Sequence, residues 1–397
     1  MKLIVLMSLS LFLIQCGTKK ENEEIVLQEE VIIPDSTQYY DSVYAPLKNK
    51  IDKYFDNLIA QKRFNGSVLF AENGRIIHHK THGFKEYKAK DSINNETAFQ
   101  LASGSKPFTA IAVLKLIEEG KINFEDSIRK FIPEIPYYNI TVEQLLSHRG
   151  GIGNYTYFTA HEWKDSSGIL TNQGILDFWK DSIPDIYYPP GKAFDYSNTG
   201  YAMLAVLVER VSNMNFRDYM QFKVFEPNGM KNTFILDMNE EIGNVAKGHL
   251  HDYRKPGNEY LNGVVGDKGM YSNCLDMFHF DNALNNGKII SDSLLTRAMN
   301  RKNPIKKDGT SYGYGWRIYN ADKPNQITYH TGWWQGFRSI YIKYPQENKT
   351  VIIMDNVKRG PFFSTKEILG LIVDDLNDPK QKESIAKPED STTIQEK

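Results

Sequence analysis

The chain has 397 residues, 41% of them hydrophobic and 24% charged, which is enough to bury a sizeable core in one or two domains. Forty-eight lysines and arginines stand against 49 aspartates and glutamates, a formal net charge of −1. That near-balance excludes a general electrostatic claim on nucleic acid, and no nucleic-acid partner is expected.

The chain opens with Met1-Lys2 and an uncharged, mostly apolar run over residues 3–14. The run is short for a bilayer span and has signal-peptide proportions. It ends Leu13-Ile14-Gln15-Cys16-Gly17. This resembles a bacterial lipoprotein signal, with residues 1–15 removed and Cys16 carrying lipid. Gln15 departs from the small residue usual at that position, and a plain secretory signal with a chance cysteine is the alternative. Multiple acyl chains would anchor the protein stably, at about 0.8 kcal/mol per buried methylene. Only one other cysteine exists, Cys274, so no internal disulfide is expected. Residues 16–45 are polar and read as a solvated tether.

Leu47, Ile51, Tyr54, Phe55, Leu58 and Ile59 recur at helical spacing and predict an amphipathic helix. Two β-prone runs follow, residues 66–71 and 75–80, joined through Asn73-Gly74, a hairpin signal. Next comes Ser103-Gly104-Ser105-Lys106, directly before the apolar run 108–114. A helix starting at Ser103 would put Lys106 one turn later on the same face. A hydroxyl, an amine and a helix N-terminus would then meet, and a serine hydroxyl needs such a base to act as a nucleophile. Taken alone, the same residues fit a helix cap and a solvated surface lysine better, and the rest of the chain must decide.

The helix after Lys106 should stop at Gly120. Thr141 is a candidate cap for a short helix, and residues 147–151 read as a turn. Pro189-Pro190-Gly191 breaks the chain before an apolar helix over 201–211, and residues 276–285 read as another helix. Strands return over 312–319, 338–344 and 350–356, then a closing helix over 362–376. Residues 377–397 form a polar tail. Strands early and late with helices between predict an α+β fold of the α/β sandwich kind. One antiparallel sheet is built from both ends of the chain and flanked by helices, with a mainly helical region inserted. The globular domain should cover residues 46–376.

Two further stretches stand out. Asp195-Tyr196-Ser197-Asn198 lies in the loop after the Pro-Pro-Gly break, and Tyr329-His330-Thr331-Gly332-Trp333-Trp334 precedes a predicted strand. Each alone is weak. In this order, S-x-x-K, Y-x-N and H-T-G resemble the class C β-lactamase and DD-peptidase family of serine hydrolases, within the penicillin-binding superfamily. Ile140 to His148, Tyr188-Pro189-Pro190-Gly191, Phe225 to Met230 and Gly269-Met270-Tyr271-Ser272 add to the resemblance.

The resemblance implies an acyl-enzyme hydrolase of amide or ester bonds, with a small-molecule or peptidoglycan-peptide substrate and no cofactor. It makes Ser103 the nucleophile and leaves Lys106 and Tyr196 as alternative bases. Asn198 would orient Lys106 and the substrate amide. The N–H groups of Ser103 and Trp333 would form the oxyanion hole, where one donor is worth about 3 kcal/mol of barrier. His330, Thr331 and Gly332 would line the substrate side. Where typical β-lactamases carry a lysine, this chain carries His330, mostly neutral at pH 7. Carboxylate capture would then be weaker, or be supplied elsewhere by Arg338 or Arg149. Trp333 and Trp334 would wall the mouth or pack in the core. No metal site is predicted: His78 and His79 alternate in a strand, and His249 and His251 lack a third ligand. The absence of a G-x-S-x-G elbow argues against an α/β-hydrolase. Together these features place the protein in the bacterial envelope as an anchored lipoprotein. A non-catalytic peptidoglycan- or penicillin-binding lipoprotein is the alternative.

Overall fold

The computed structural model describes residues 37–162, 168–237, 243–257, 259–359 and 365–372. The chain divides into two units, Met1–Val43 and Tyr44–Lys397, and the sheet, the cores and the site described below belong to the second. The expected signal, Cys16, most of the tether and the polar tail lie outside the described residues. No described helix is long and apolar enough to cross a membrane.

Seven antiparallel strands form the central sheet: β1 (Gly66–Glu72), β2 (Arg75–His82), β3 (Ser311–Tyr312), β4 (Arg317–Tyr319), β5 (Ile327–Trp334), β6 (Phe337–Tyr344) and β7 (Lys349–Asp355). Their order is β2-β1-β7-β6-β5-β4-β3. The two ends of the chain meet where β1 pairs with β7, Gly66 opposite Asp355 and Glu72 opposite Lys349. The early hairpin forms as its Asn73-Gly74 pair predicts, both residues at positive φ.

Side chains on neighbouring positions of a strand point to opposite faces, and here both faces are buried. Val68, Phe70, Ile340, Ile342, Val351 and Ile353 pack beneath α1 (Thr37–Ala60) through Ile51, Phe55 and Leu58, and against Ile368 and Leu369 of the closing helix. Leu69, Ala71, Tyr341, Ile352 and Met354 face the other way, into the larger core. That core holds α2 (Lys106–Glu118), α3 (Asn198–Ser212) and α4 (Cys274–Asn285). Helix α2 is apolar on all sides because it runs through this interior rather than over it.

Three elements differ from expectation. The predicted strand 312–319 is two short strands, because Gly315 at φ +78 turns the chain against Lys106 O and Pro107. The H-T-G residues lie within strand β5 rather than before a strand. The helix expected from residue 201 begins at Asn198, because Ser197 caps it by accepting from Gly200 N at 3.3 Å.

Candidate active site

Ser103 is not a helix cap. It sits in a 3-10 turn, Ala102–Ser105, that leads into α2, with Lys106 as the first α-helical residue. The backbone around it is held from three sides. Leu101 N donates to Met270 O at 2.8 Å, Ser339 Oγ donates to Leu101 O at 2.6 Å, and Met270 N donates to Ser105 Oγ at 3.3 Å. Ala102 takes φ +50, a left-handed conformation costly for a residue with a Cβ, and this turn sets the direction in which Ser103 leaves the backbone.

Lys106 is fully buried, and its amine has three partners. Nζ donates to Ser103 Oγ at 3.1 Å, to Asn198 Oδ1 at 2.8 Å and to Asp267 O at 2.9 Å. Three contacts use every direction the nitrogen offers, whether as three N–H donors or as two N–H donors and a lone pair toward the Ser103 hydroxyl. The amine also lies 4.8 Å from the Tyr196 ring centroid. Helix α3 delivers Asn198 in its first turn, where Asn154 Oδ1 takes its backbone N–H at 2.7 Å. Tyr196 comes from the preceding loop, and its buried hydroxyl has no hydrogen-bond partner among the described residues.

Behind Tyr196 stands His148, fully enclosed, with ring centroids 4.4 Å from Tyr196, 4.9 Å from Tyr201 and 4.7 Å from Tyr312. Its Nδ1 accepts from Ser197 N at 3.1 Å. Burial holds its pKa well below the ordinary value, helped by Lys106, His330 and Arg317. His330 is likewise buried: Nδ1 lies 2.8 Å from Thr331 O and Nε2 lies 3.0 Å from Tyr312 Oη. A carbonyl only accepts, so the proton sits on Nδ1 and Nε2 takes the tyrosine hydrogen. Burial, then Arg317 and Lys106, push His330 well below its ordinary pKa, so it is neutral at pH 7. It forms the wall behind Tyr196 and Tyr312, with no exposed surface toward a substrate.

Strand β5 closes the site. Its contact with β4 ends at Tyr329, so from His330 onward it has a sheet neighbour on one side only. Gly332 meets the serine turn so closely that an added Cβ would lie 1.9 Å from Leu101 O and 3.0 Å from Gly104 N. Only glycine fits there. Strand alternation puts His330, Gly332 and Trp334 toward the serine turn, with Thr331 and Trp333 on the other face. The Trp333 indole is accordingly 44% exposed, with Lys358 Nζ 4.5 Å from its ring. Trp334 instead packs against the larger core, its Nε1 donating to Asn262 Oδ1 at 2.8 Å.

Neither arginine expected to capture a carboxylate is placed for it. Arg338 is buried and paired with Asp355, its Nε donating to Oδ2 at 2.8 Å. Arg149 turns its guanidinium to Gly191 O and, at 3.5 Å, to Asn303 Oδ1. The cation brought to the site is Arg317 of β4, 5.3 Å from the Tyr196 ring centroid. Sequence inspection passed over it because nothing marks an arginine inside a short strand. Among the described residues, no group of three His, Cys, Asp or Glu is placed to hold a metal ion.

A Beta-lactamase family model matches residues 51–372. The chain belongs to this family. It is 32% identical over 324 residues to a penicillin-binding protein of Bacillus subtilis, covering 78% of this chain and 72% of that one. Among solved structures, a penicillin binding protein from Bacillus halodurans aligns with TM-score 0.70 and 26% identity, over 77% of this chain and 95% of the other. A class C beta-lactamase aligns with TM-score 0.68 and 15% identity, over 82% and 94%, which shows the shared fold. Membership in the Beta-lactamase family supports serine-hydrolase chemistry through an acyl-enzyme in general.

Proposed function

We propose that this protein is an acyl-enzyme serine hydrolase of amide or ester bonds, anchored in the bacterial envelope through Cys16. The observation that carries the reading is the buried Lys106 amine held at once by Ser103 Oγ, Asn198 Oδ1 and Asp267 O. An amine so enclosed has no reason to be there as a solvated charge.

In this reading Ser103 Oγ attacks the substrate carbonyl carbon. Its proton passes to the Lys106–Tyr196 pair, and the oxyanion is met by the N–H groups of Ser103 and Trp333. The C–N or C–O bond then breaks, the leaving group takes that proton, and water releases the acyl group from Ser103. For this step Lys106 is the base as the neutral amine, with its two N–H groups on Asn198 Oδ1 and Asp267 O and its lone pair turned to the Ser103 hydroxyl; Tyr196, whose hydroxyl has no partner among the described residues, serves the leaving group. The single-partner edge of β5 offers backbone groups to an extended substrate, and Arg317 supplies positive charge beside it. With His330 neutral and buried, carboxylate recognition at that position is weak. This favours esters and amides without a carboxylate at that position over penicillins and D-Ala-D-Ala peptides, which both carry one.

Time courses with fluorescent penicillin, a D-Ala-D-Ala peptide and a small aryl ester test the reading. A peptidase is trapped by penicillin, a β-lactamase releases it, and an esterase turns over the aryl ester fastest. No acylation by any of them would leave a binding protein.

A further inference from the structure

The carbonyl that holds Lys106 belongs to a turn with an uncommon construction. Asp267 and Lys268 sit between Gly266 at φ +97 and Gly269 at φ +93, and both side chains are buried. Tyr155 Oη donates to Asp267 Oδ2 at 2.9 Å, and Lys268 Nζ donates to Tyr155 Oη. Lys268 Nζ lies 3.6 Å from Asp267 Oδ1 and 3.4 Å from Val264 O. It is stacked between the rings of Tyr155 at 5.0 Å and Trp334 at 5.2 Å. A second tether comes from α2, where Thr109 Oγ1 donates to Gly266 O at 2.7 Å. Burial pushes the Lys268 amine down to about 8, opposed by Asp267 and Glu259 and reinforced by Lys106.

A buried ion pair is a poor device for stability, because desolvation consumes most of its Coulomb energy. A turn that needed only to close could use small apolar residues. What the charged network adds is a fixed orientation of one peptide group: Asp267 C=O faces Lys106 Nζ at 2.9 Å. We infer that Lys268, clamped by Asp267 and Tyr155, is a positioning residue for Lys106, fixing the 266–269 turn so that Lys106 is aimed at Ser103. This rests on the hydrolase reading for its kinetic consequence, but the positioning itself does not.

The test pairs kinetics with structure in the full chain, using Lys268→Met and, from the α2 side, Thr109→Val. Neither residue touches Ser103, and Lys268 meets β5 only at the ring of Trp334, its last residue. Both variants should lower kcat with KM within about twofold, Lys268→Met by up to about 100-fold, the cost of roughly 1 Å of misplacement. Their crystal structures should show the Asp267 O to Lys106 Nζ contact lengthened beyond hydrogen-bond range. Tyr155→Phe, which removes the clamp's central hydroxyl with little change of volume, gives the same test if Lys268→Met does not fold. Folded variants with unchanged kcat and an intact contact would overturn the inference. A raised KM at unchanged kcat would overturn it too, by making Lys268 a substrate contact. If wild type shows neither turnover nor a Ser103 adduct, the hydrolase reading falls, and the contact distance alone decides whether the clamp holds Lys106.

Discussion

Lys106 Nζ lies 3.1 Å from Ser103 Oγ, whereas the Tyr196 hydroxyl, in the same pocket, has no partner among the described residues. The two candidate bases are therefore not equivalent before substrate arrives. Lys106→Met should lower the acylation rate by about 1,000-fold or more, within the range for loss of a general base. Tyr196→Phe, which removes a hydroxyl engaged only later, should cost about 10- to 100-fold. Stopped-flow acylation with a chromogenic ester separates the two, and equal losses would refute the assignment.

Arg317 and Arg338 should behave oppositely. Arg317→Met should raise KM for substrates bearing a free carboxylate, with little change for a neutral aryl ester. Arg338→Met should strand Asp355 in the core and cost about 3–5 kcal/mol of stability. Steady-state kinetics and denaturant melts on both variants check this.

Gly332→Ala inserts a methyl against Leu101 O, Ser339 Oγ and Gly104 N, at 1.9, 2.5 and 3.0 Å. Backbone cannot yield as a flexible side chain would, so the serine turn must move. We expect a loss of about 3 kcal/mol in a urea melt together with loss of acylation.

His330 gives the pH dependence a sign. Its folded pKa lies below the unfolded value near 6.5, so above that pH neither state is charged and it contributes nothing. Below it the unfolded chain takes up a proton that the folded site refuses, and stability falls with falling pH. The stability difference between wild type and His330→Asn should therefore shift against wild type as pH drops from 7 to 5. The steepest slope is about 1.4 kcal/mol per pH unit. A difference independent of pH would mean that His330 charges freely in the folded state.

Much of the fold was legible because it rests on local pattern. The Asn73-Gly74 turn, the β-prone runs of β1, β6 and β7, and the apolar run of α2 each state their structure within a few residues. The S-x-x-K and Y-x-N spacings led to residues that the fold does bring together. What was not legible depends on contacts far apart in the chain. Arg338 looked available until Asp355, 17 residues on, proved to hold it. Trp333 and Trp334 are adjacent and chemically alike, and only the strand register sends one toward the core and the other to solvent. Asp267 acts through its backbone carbonyl, which no side-chain pattern reports. Arg317 and His148 matter through the tyrosine rings they face, and the 3-10 turn at Ser103 through its hold on Met270 and Ser339.

The central claim is that Ser103 becomes acylated with Lys106 as its base. Intact-mass spectrometry after incubation with penicillin, a D-Ala-D-Ala thioester and an aryl ester tests it directly. One covalent acyl adduct on wild type, mapped to Ser103 and absent from Ser103→Ala, is the result expected. An adduct that survives in Ser103→Ala, or no adduct on wild type from any of the three donors, would contradict it.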